Sequence, residues 1–342
     1  MKAVRIHQPG SVDNYVYEDA PEPQPGPGEV RVRVRAVALN HLEAWAAKAP
    51  PHVRYDGPRI LGADVAGVID SVGPGVRSAT AGAEVIVHPG VSCGHCAACL
   101  DGADNLCPQY RLLGQGRDGG LAEFVVVPEA NVFQKPAALS FEEAASIPLV
   151  FTTAIHMILT RAALRYGETV LVNAAGSGVG IAAIQVAKLH GARVIASAGA
   201  DAKLDRARAL GADEVINYTT QDLAEEARRL TGGRGVDMVV ENVGAEIMEK
   251  SIKALARNGR VVTCGATAGN DATFNVTRFF LAQQTIYGSF MGTKAEMLRY
   301  APCFEDGRLK AVVDQVFPLS EARAAIARLL HREQFGKIVL VP

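Results

Sequence analysis

The stretch Val170-Leu-Val-Asn-Ala-Ala-Gly-Ser-Gly-Val-Gly-Ile181 constrains this chain more than any other. Val170 to Val172 read as a short buried strand, and Ile181 to His190 as the helix that follows. Between them lie only small residues, Ala174 to Gly180. Such a turn lets backbone N–H groups approach a pyrophosphate, and the N-terminus of the next helix adds a favourable dipole. Glycine also ends strands for purely structural reasons. Here the strand, the turn, the helix and a second strand at Arg193 to Ser197 supply the context that a dinucleotide-binding unit requires.

At 342 residues the chain exceeds one ordinary domain, so two are expected. Its 35 Lys and Arg against 36 Asp and Glu leave no basic excess for nucleic acid and no charged tail. No stretch reaches the length of a membrane span, and Met1 to Ile6 runs straight into a strand-like pattern rather than a signal peptide. The six Cys do not read as a disulfide framework, because four of them cluster, and a reducing compartment is the simplest setting. The expectation is a cytoplasmic enzyme acting on a small molecule, with neither nucleic acid nor membrane as a partner.

Lys2 to Ile6, Tyr15 to Glu18, Val30 to Val37, Val65 to Val72, Glu84 to His88 and Ala122 to Val127 read as strands separated by Gly- and Pro-rich turns. The first third is therefore β-rich. After Pro136 the texture changes to alternating helix and strand. Phe141 to Ile147, Ala154 to Leu164, Ala202 to Leu210 and Leu223 to Leu230 are expected as helices. Asp237 to Glu241, Gly259 to Cys264 and Thr285 to Ser289 are expected as strands. Alternation of this kind implies an α/β fold with a doubly wound parallel sheet. The tail from Ala311 carries a strand, the helix Glu321 to Leu330 and a last strand, Lys337 to Val341, and is expected to fold back onto the first domain.

The most specific local pattern is Cys93-x2-Cys96-x2-Cys99-x7-Cys107. Four thiolates on a Gly-containing loop can close a tetrahedral zinc site, and four protein ligands leave no open position, so such a zinc is structural. Cys-x2-Cys-x2-Cys also occurs at iron–sulfur clusters, but nothing else in the chain points to electron-carrier chemistry. The isolated Cys264 and Cys303 read as small core or surface residues, and His156, on an apolar helix, as a packed histidine.

Taken together these pieces resemble the medium-chain dehydrogenase/reductase superfamily, which includes zinc alcohol dehydrogenases and quinone oxidoreductases. The resemblance spans the whole chain, and its markers are Gly62-Ala-Asp-Val-Ala-Gly67, the four-Cys lobe, Ala175 to Gly180, Leu210 to Asn217, Gly232 to Asp237 and Phe335-Gly-Lys-Ile-Val-Leu340. It implies a GroES-like β-rich domain over 1–137 with the zinc lobe at 93–107, a Rossmann domain over 138–285, and a return to the first domain over 286–342. It also implies a homodimer or homotetramer. Zinc alcohol dehydrogenases place a Cys ligand and a hydroxyl relay where this chain has Asn40 and Leu42. Their His–Glu pair falls on Ala63 and Asp64, and their third ligand near Leu149. Asn, Ala and Leu do not build a catalytic zinc site, which needs three good ligands and an open position. The quinone-reductase branch shares the Asn, but often has a phenol where Trp45 stands. The catalytic candidates are therefore Asn40, Asp64 and Trp45, with one structural zinc on Cys93, Cys96, Cys99 and Cys107. A rebuilt metal site from His41, Glu43 and Asp64 is the weaker reading against polar residues at a cleft mouth.

An NAD enzyme usually has an acid at the end of the second Rossmann strand; Ala198 stands there, with Lys203 and Arg206 following and Ser197 as a further donor. NADP(H) is expected over NAD(H). The resemblance places the cofactor on Thr153, Ser177, Gly178, Val179, Gly180, Ser197, Lys203, Arg206, Asn242, Gly265, Ser289 and Lys337. The activity expected is hydride transfer to quinones or α,β-unsaturated carbonyls without catalytic zinc. An alcohol dehydrogenase or aldehyde reductase, and a catalytically silent nucleotide-binding protein, are the alternatives.

Overall fold

A strand that is apolar on both faces belongs inside a parallel sheet covered by helices, and Thr169–Val172 is buried at every position. In the computed structural model, which describes residues 1–48 and 57–342, this strand lies third in a six-stranded parallel sheet. The order is Glu214–Asn217, Arg193–Ala198, Thr169–Val172, Val236–Glu241, Leu255–Thr263 and Thr285–Gly288. This is the doubly wound Rossmann order, whose direction of travel reverses between Thr169–Val172 and Val236–Glu241. Ligands of such sheets bind beyond the carboxyl ends of the strands at that reversal. Leu171, Ile195, Val239 and Val261 form the inner core with Leu223, Ala227 and Ile252 of the covering helices.

The first sheet is antiparallel around one hub, the strand Glu29–Ala38. It pairs with Asp64–Val72, Phe124–Pro128 and the C-terminal Lys337–Val341. Alternation decides its faces: Val30, Val32 and Val34 are buried, while Arg31 and Arg33 point outward to share Asp70 at 2.8 and 2.9 Å. In the tail, Lys337–Val341 continues this sheet beside the hub and Val313–Pro318 pairs with it in parallel.

The units divide as Met1–Leu149 with Thr293–Pro342, and Val150–Gly292, some way from the expected boundaries at 138 and 286. The cause is packing. The helix Phe141–Ala145, opened by a full Ser140/Glu143 capping box, buries Ala144 and Ala145 among Ala36, Ala38, Ala66 and Val339 of the first sheet. The strand Thr285–Gly288 meanwhile completes the second sheet, so the chain leaves that unit only after it.

Other differences are local. The helix expected from Ile181 starts at Gly178, because Ser177 caps it. The helix expected over Ala154 to Leu164 is an α-helix, Pro148–Ile155, running into a π-helical turn, His156–Arg161, in which Ala162 N donates to Met157 O. His156 is buried there, as a packed histidine would be. Helices His41–Lys48, Ala245–Ala254, Val276–Leu281 and Lys294–Glu305 and the strand Glu214–Asn217 were not foreseen. Among the described residues no helix is long and apolar enough to cross a membrane.

Candidate functional site

In the second unit the glycine turn is built to leave room. A Cβ on Gly180 would press into the Ala174 carbonyl, so only glycine fits that corner. Ser177 closes the turn: its Oγ accepts from Gly180 N at 3.0 Å, which caps the helix, and from Asn242 Nδ2 at 3.1 Å. Asn242 thus ties the loop after Val236–Glu241 to the turn after Thr169–Val172, across the reversal point. The buried Glu241 carboxylate holds the loop beyond, accepting from Val243 N at 2.7 Å and Gly244 N at 3.0 Å, while burial pushes its pKa upward. Gly265 lies beside the Asn242 carbonyl. Of the expected cofactor residues, Ser177, Gly178, Val179, Gly180, Asn242 and Gly265 therefore share one end of the sheet. Thr153 sets its hydroxyl 3.9 Å from Met291 Sδ, and Ser289 donates its backbone N–H to Thr263 O. The Ser289 hydroxyl is buried without a hydrogen-bond partner. Backbone N–H groups at a helix start and an unmatched buried hydroxyl fit a dinucleotide carrying phosphate and amide groups.

Nucleotide selection is the first place where sequence reasoning needs correction. Ser197 is 1% exposed and its Oγ donates to Asn173 Oδ1 at 2.9 Å. Asn173 in turn donates to Ser251 Oγ at 2.8 Å. Ser197 is thus a strut under the glycine turn and not a donor to a 2′-phosphate. Ala198 does end its strand. Asp201, three residues later, opens the next helix and is held by Asn217 Nδ2 at 2.7 Å. Lys203 is half-buried on that helix and Arg206 exposed. Tyr218, not foreseen, sets its ring where a Cβ on Gly199 would lie 3.0 Å from it.

In the first unit, three strand ends bring Asn40, Asp64 and Lys337 together. Asp64 pairs with Ala38 in register, Val339 pairs with Ala38 on its other side, and Asn40 follows two residues after Ala38. Lys337 Nζ donates to Asn40 Oδ1 at 2.6 Å and to Asp64 Oδ2 at 2.8 Å. The Lys337 and Asp64 side chains are 4% and 0% exposed. Asn40 Nδ2 donates to Asp64 Oδ2 at 3.0 Å and to Ala38 O at 3.4 Å, and Leu149 N donates to Asp64 Oδ1 at 2.8 Å. An ammonium only donates, so the Asn40 atom beside it is the oxygen, and this fixes which way the amide faces. Both amide protons then point inward to Asp64 and Ala38. Asn40 Oδ1 has one lone pair left, so toward any further partner this amide can only accept.

Lys337, expected on the cofactor, joins the Asn40–Asp64 network through two of its three ammonium donors. One expectation changes. Glu43 is not at a cleft mouth: it is 1% exposed, and its carboxylate accepts from Asn40 N at 2.7 Å and Gly62 N at 3.2 Å. His41 is half-buried, with its pKa pushed down to about 4 by burial and by Arg332, Lys337 and Lys48. His41, Glu43 and Asp64 do not converge on one point, so no metal site is rebuilt from them. Trp45, one turn beyond His41, is half-buried and has no acidic proton to give.

Among the described residues, the one group of His, Cys, Asp or Glu side chains close enough to hold an ion is Cys93, Cys96, Cys99 and Cys107, whose sulfurs all lie within 4.8 Å of one another. A tetrahedral ion with bonds of about 2.3 Å sets sulfurs roughly 3.8 Å apart; Cys93 to Cys99 is 3.9 Å and Cys96 to Cys99 is 3.5 Å. Cys93 N and Gln109 N each donate to Cys107 Sγ at 3.4 Å. Lys294 anchors the lobe, donating to Ser92 Oγ at 3.0 Å and Asp104 Oδ2 at 2.8 Å.

Comparison with known proteins agrees with this picture. A family model described as alcohol dehydrogenase GroES-like domain matches residues 26–137, and one described as zinc-binding dehydrogenase matches residues 178–306. The NAD-dependent alcohol dehydrogenase of Saccharolobus solfataricus is 33% identical over 83% of this chain and 82% of its own. The 2-haloacrylate reductase of a Burkholderia species is 30% identical over 99% of this chain and 98% of its own. A crystal structure of an NAD-dependent alcohol dehydrogenase superposes with a TM-score of 0.96 at 50% identity, covering both chains completely. The fold and these matches define an oxidoreductase built from a GroES-like and a Rossmann domain. The chain belongs to the medium-chain dehydrogenase/reductase superfamily.

The buried pair yields a first prediction. Lys337→Met leaves Asp64 buried without its cation, which costs about 3–5 kcal/mol. Adding Asp64→Asn to Lys337→Met should restore part of that loss, because the uncompensated charge is gone. Urea unfolding of both variants checks it; a double variant no more stable than Lys337→Met would mean that the two charges are not coupled.

Proposed function

We infer that the protein is a nicotinamide-dependent reductase of conjugated acceptors, quinones or α,β-unsaturated carbonyls, that works without a catalytic metal. The observation that carries this reading is the orientation of Asn40. With its amide protons held by Asp64 and Ala38, it cannot donate to the oxygen of an isolated carbonyl. Reduction of such a carbonyl concentrates charge on one oxygen and needs a waiting donor or Lewis acid. A conjugated acceptor spreads the incoming charge over its own framework and asks less of the protein. When bound, the reduced nicotinamide supplies the hydride. The chain's part is to hold the dinucleotide on Ser177 to Gly180 and Asn242, and to offer Asn40 Oδ1, polarised by Lys337, as a hydrogen-bond acceptor. Likeness to a 2-haloacrylate reductase supports a conjugated substrate.

A second reading, an alcohol dehydrogenase using NAD(H), is favoured by the 50% identity to an NAD-dependent alcohol dehydrogenase and by Asp201 near the nucleotide-selecting strand end. Assays with quinones, enones, aldehydes and alcohols separate the two. Turnover should be fastest with an enone or quinone, unaffected by chelator, and lowered on the order of 10²-fold by Asn40→Ala, which removes a positioning contact. Chelator-sensitive alcohol oxidation faster than any enone reduction would sink the first reading.

The cofactor is proposed to be NADP(H), with Lys203 and Arg206 meeting the 2′-phosphate. Fluorescence titration should give tighter binding of NADPH than of NADH, and Lys203→Ala should narrow the gap by weakening NADPH alone. Equal binding of the two in the unmodified protein argues for NAD(H) and the second reading.

One zinc per chain is proposed on Cys93, Cys96, Cys99 and Cys107, where it would cross-link a lobe with little core of its own. Backbone N–H groups of His95 and Cys96 lower the pKa of the Cys93 thiol, which favours the thiolate that a metal needs. Elemental analysis should find one zinc in the unmodified protein and none in Cys93→Ser. Full retention of metal by that variant would move the site elsewhere. The expected homodimer or homotetramer and cytoplasmic setting stand as part of this proposal.

A further inference from the structure

The helix His41–Lys48 begins in an unusual way. Asn40 stands at its N-cap, where an Asn side chain ordinarily accepts from a backbone N–H of the first turn. Here that side chain is turned away to Lys337 and Asp64, and Glu43 N reaches only the Asn40 backbone carbonyl, at 3.2 Å. Glu43, three residues on, supplies the other half of a capping box: one carboxylate oxygen accepts from Asn40 N at 2.7 Å. Its second oxygen does something a cap does not require. It accepts from Gly62 N at 3.2 Å, two residues before Asp64 on a different segment. One buried carboxylate therefore holds the backbone beside Asn40 and the backbone beside Asp64.

We propose that Glu43 is the positioning residue of the Asn40–Asp64–Lys337 network, its carboxylate clamping together the two segments that present Asn40 and Asp64. This rests on the reading of that network as part of the proposed reductase site. The clamp is titratable. Burial pushes the Glu43 carboxyl up to about 7, against the pull of the Asn40 N–H and of the Lys337 charge. Lys337, from the last strand, is the charged group that acts on it. Tyr15, from the strand Tyr15–Asp19, donates to the backbone carbonyl Glu43 O at 2.7 Å. His41, on the same helix, is neutral at such pH because its own pKa is held near 4.

The two consequences have opposite signs. The charged carboxylate accepts both N–H bonds, so the network is fully ordered above pH about 7 and loosens as Glu43 takes up a proton. Stability runs the other way. A carboxyl raised from 4.5 to about 7 by folding favours the folded state at low pH. That contribution is complete below the unfolded value and is lost as pH rises through about 7. A merely structural glutamate in an ordinary ion pair shows neither pattern.

The test uses the full-length protein with its fastest acceptor. Above pH 7, Glu43→Gln should lower kcat/KM on the order of 10- to 100-fold, because an amide can satisfy only one of the two N–H donors. The variant should lack the limb near pH 7 that the unmodified enzyme shows. In the unmodified protein, hydrogen exchange, corrected for the intrinsic pH dependence, should show protection of residues 40 and 62 falling from pH 8 to pH 6. This second measurement does not depend on the variant folding. A limb near pH 7 retained by Glu43→Gln, or protection unchanged between pH 8 and 6, overturns the proposal. If Asn40→Ala keeps full turnover while protection still falls, the clamp stands and the functional reading of the network fails.

Discussion

A lysine and an aspartate meeting out of water, Lys337 Nζ on Asp64 Oδ2 at 2.8 Å, set the terms for the first unit. Such pairs add little net stability compared with a well-packed apolar pair, yet losing one partner is costly. Their effect is selective. Lys337 and Asp64 each open a strand that flanks Ala38, and a slip of one residue in either ladder would turn one charge to the opposite face. The native register is the arrangement in which neither charge is left alone. Gly336 lets the last strand enter correctly: its φ of +105° and the closeness of the Val312 carbonyl exclude a side chain there. A chain end more than 270 residues downstream is thereby drawn to a strand near the N-terminus.

The same pair settles the chemistry of Asn40. A neutral amide can face its neighbours in two ways, and only a donor-only or acceptor-only partner removes the choice. Here both kinds are present, the ammonium against Oδ1 and the carboxylate against Nδ2. The helix that follows loses its Asn cap as a result, and Glu43 takes over the capping bond while reaching across to Gly62. A device for starting a helix has become a tie between two loops.

The sequence made the second unit readable because its signals are local. Buried strands without alternation, the small-residue turn and the helices between them each lie within a dozen residues, and the observed parallel sheet is built from those strands. Asn40 and Asp64 were also visible, through the positions they fill in the resemblance. Lys337 was visible as a residue but not as their partner, since no pattern in the chain links positions so far apart. Glu43 carried a usable signal, the Asn-x-x-Glu spacing of a capping box before a helix. Its charge, though, argued for the surface, and burial of an acid against two backbone N–H groups has no compositional mark. The helix Lys294–Glu305 was hidden by Pro302 within it, though Thr293 and Glu296 form a complete capping box at its start. The strand Glu214–Asn217 was too short for periodicity to register.

Ser197 shows why nucleotide preference is harder to read than nucleotide binding. Holding a pyrophosphate needs a turn of fixed shape, and the buried chain from Ser197 through Asn173 to Ser251 props that turn from beneath. The last polar side chain of the second strand is used for that support. On the proposed reading, what tells a ribose hydroxyl from a phosphate lies beyond the strand, with Asp201, Lys203, Arg206 and the ring of Tyr218 beside Gly199. These belong to a helix start and a neighbouring loop, where one acid and two cations pull in opposite directions. Asp201 accepts from Asn217 Nδ2, a neutral donor, at 2.7 Å. On that reading, preference follows from whether the two cations outweigh that one carboxylate at the rim, while the glycine turn below serves either dinucleotide.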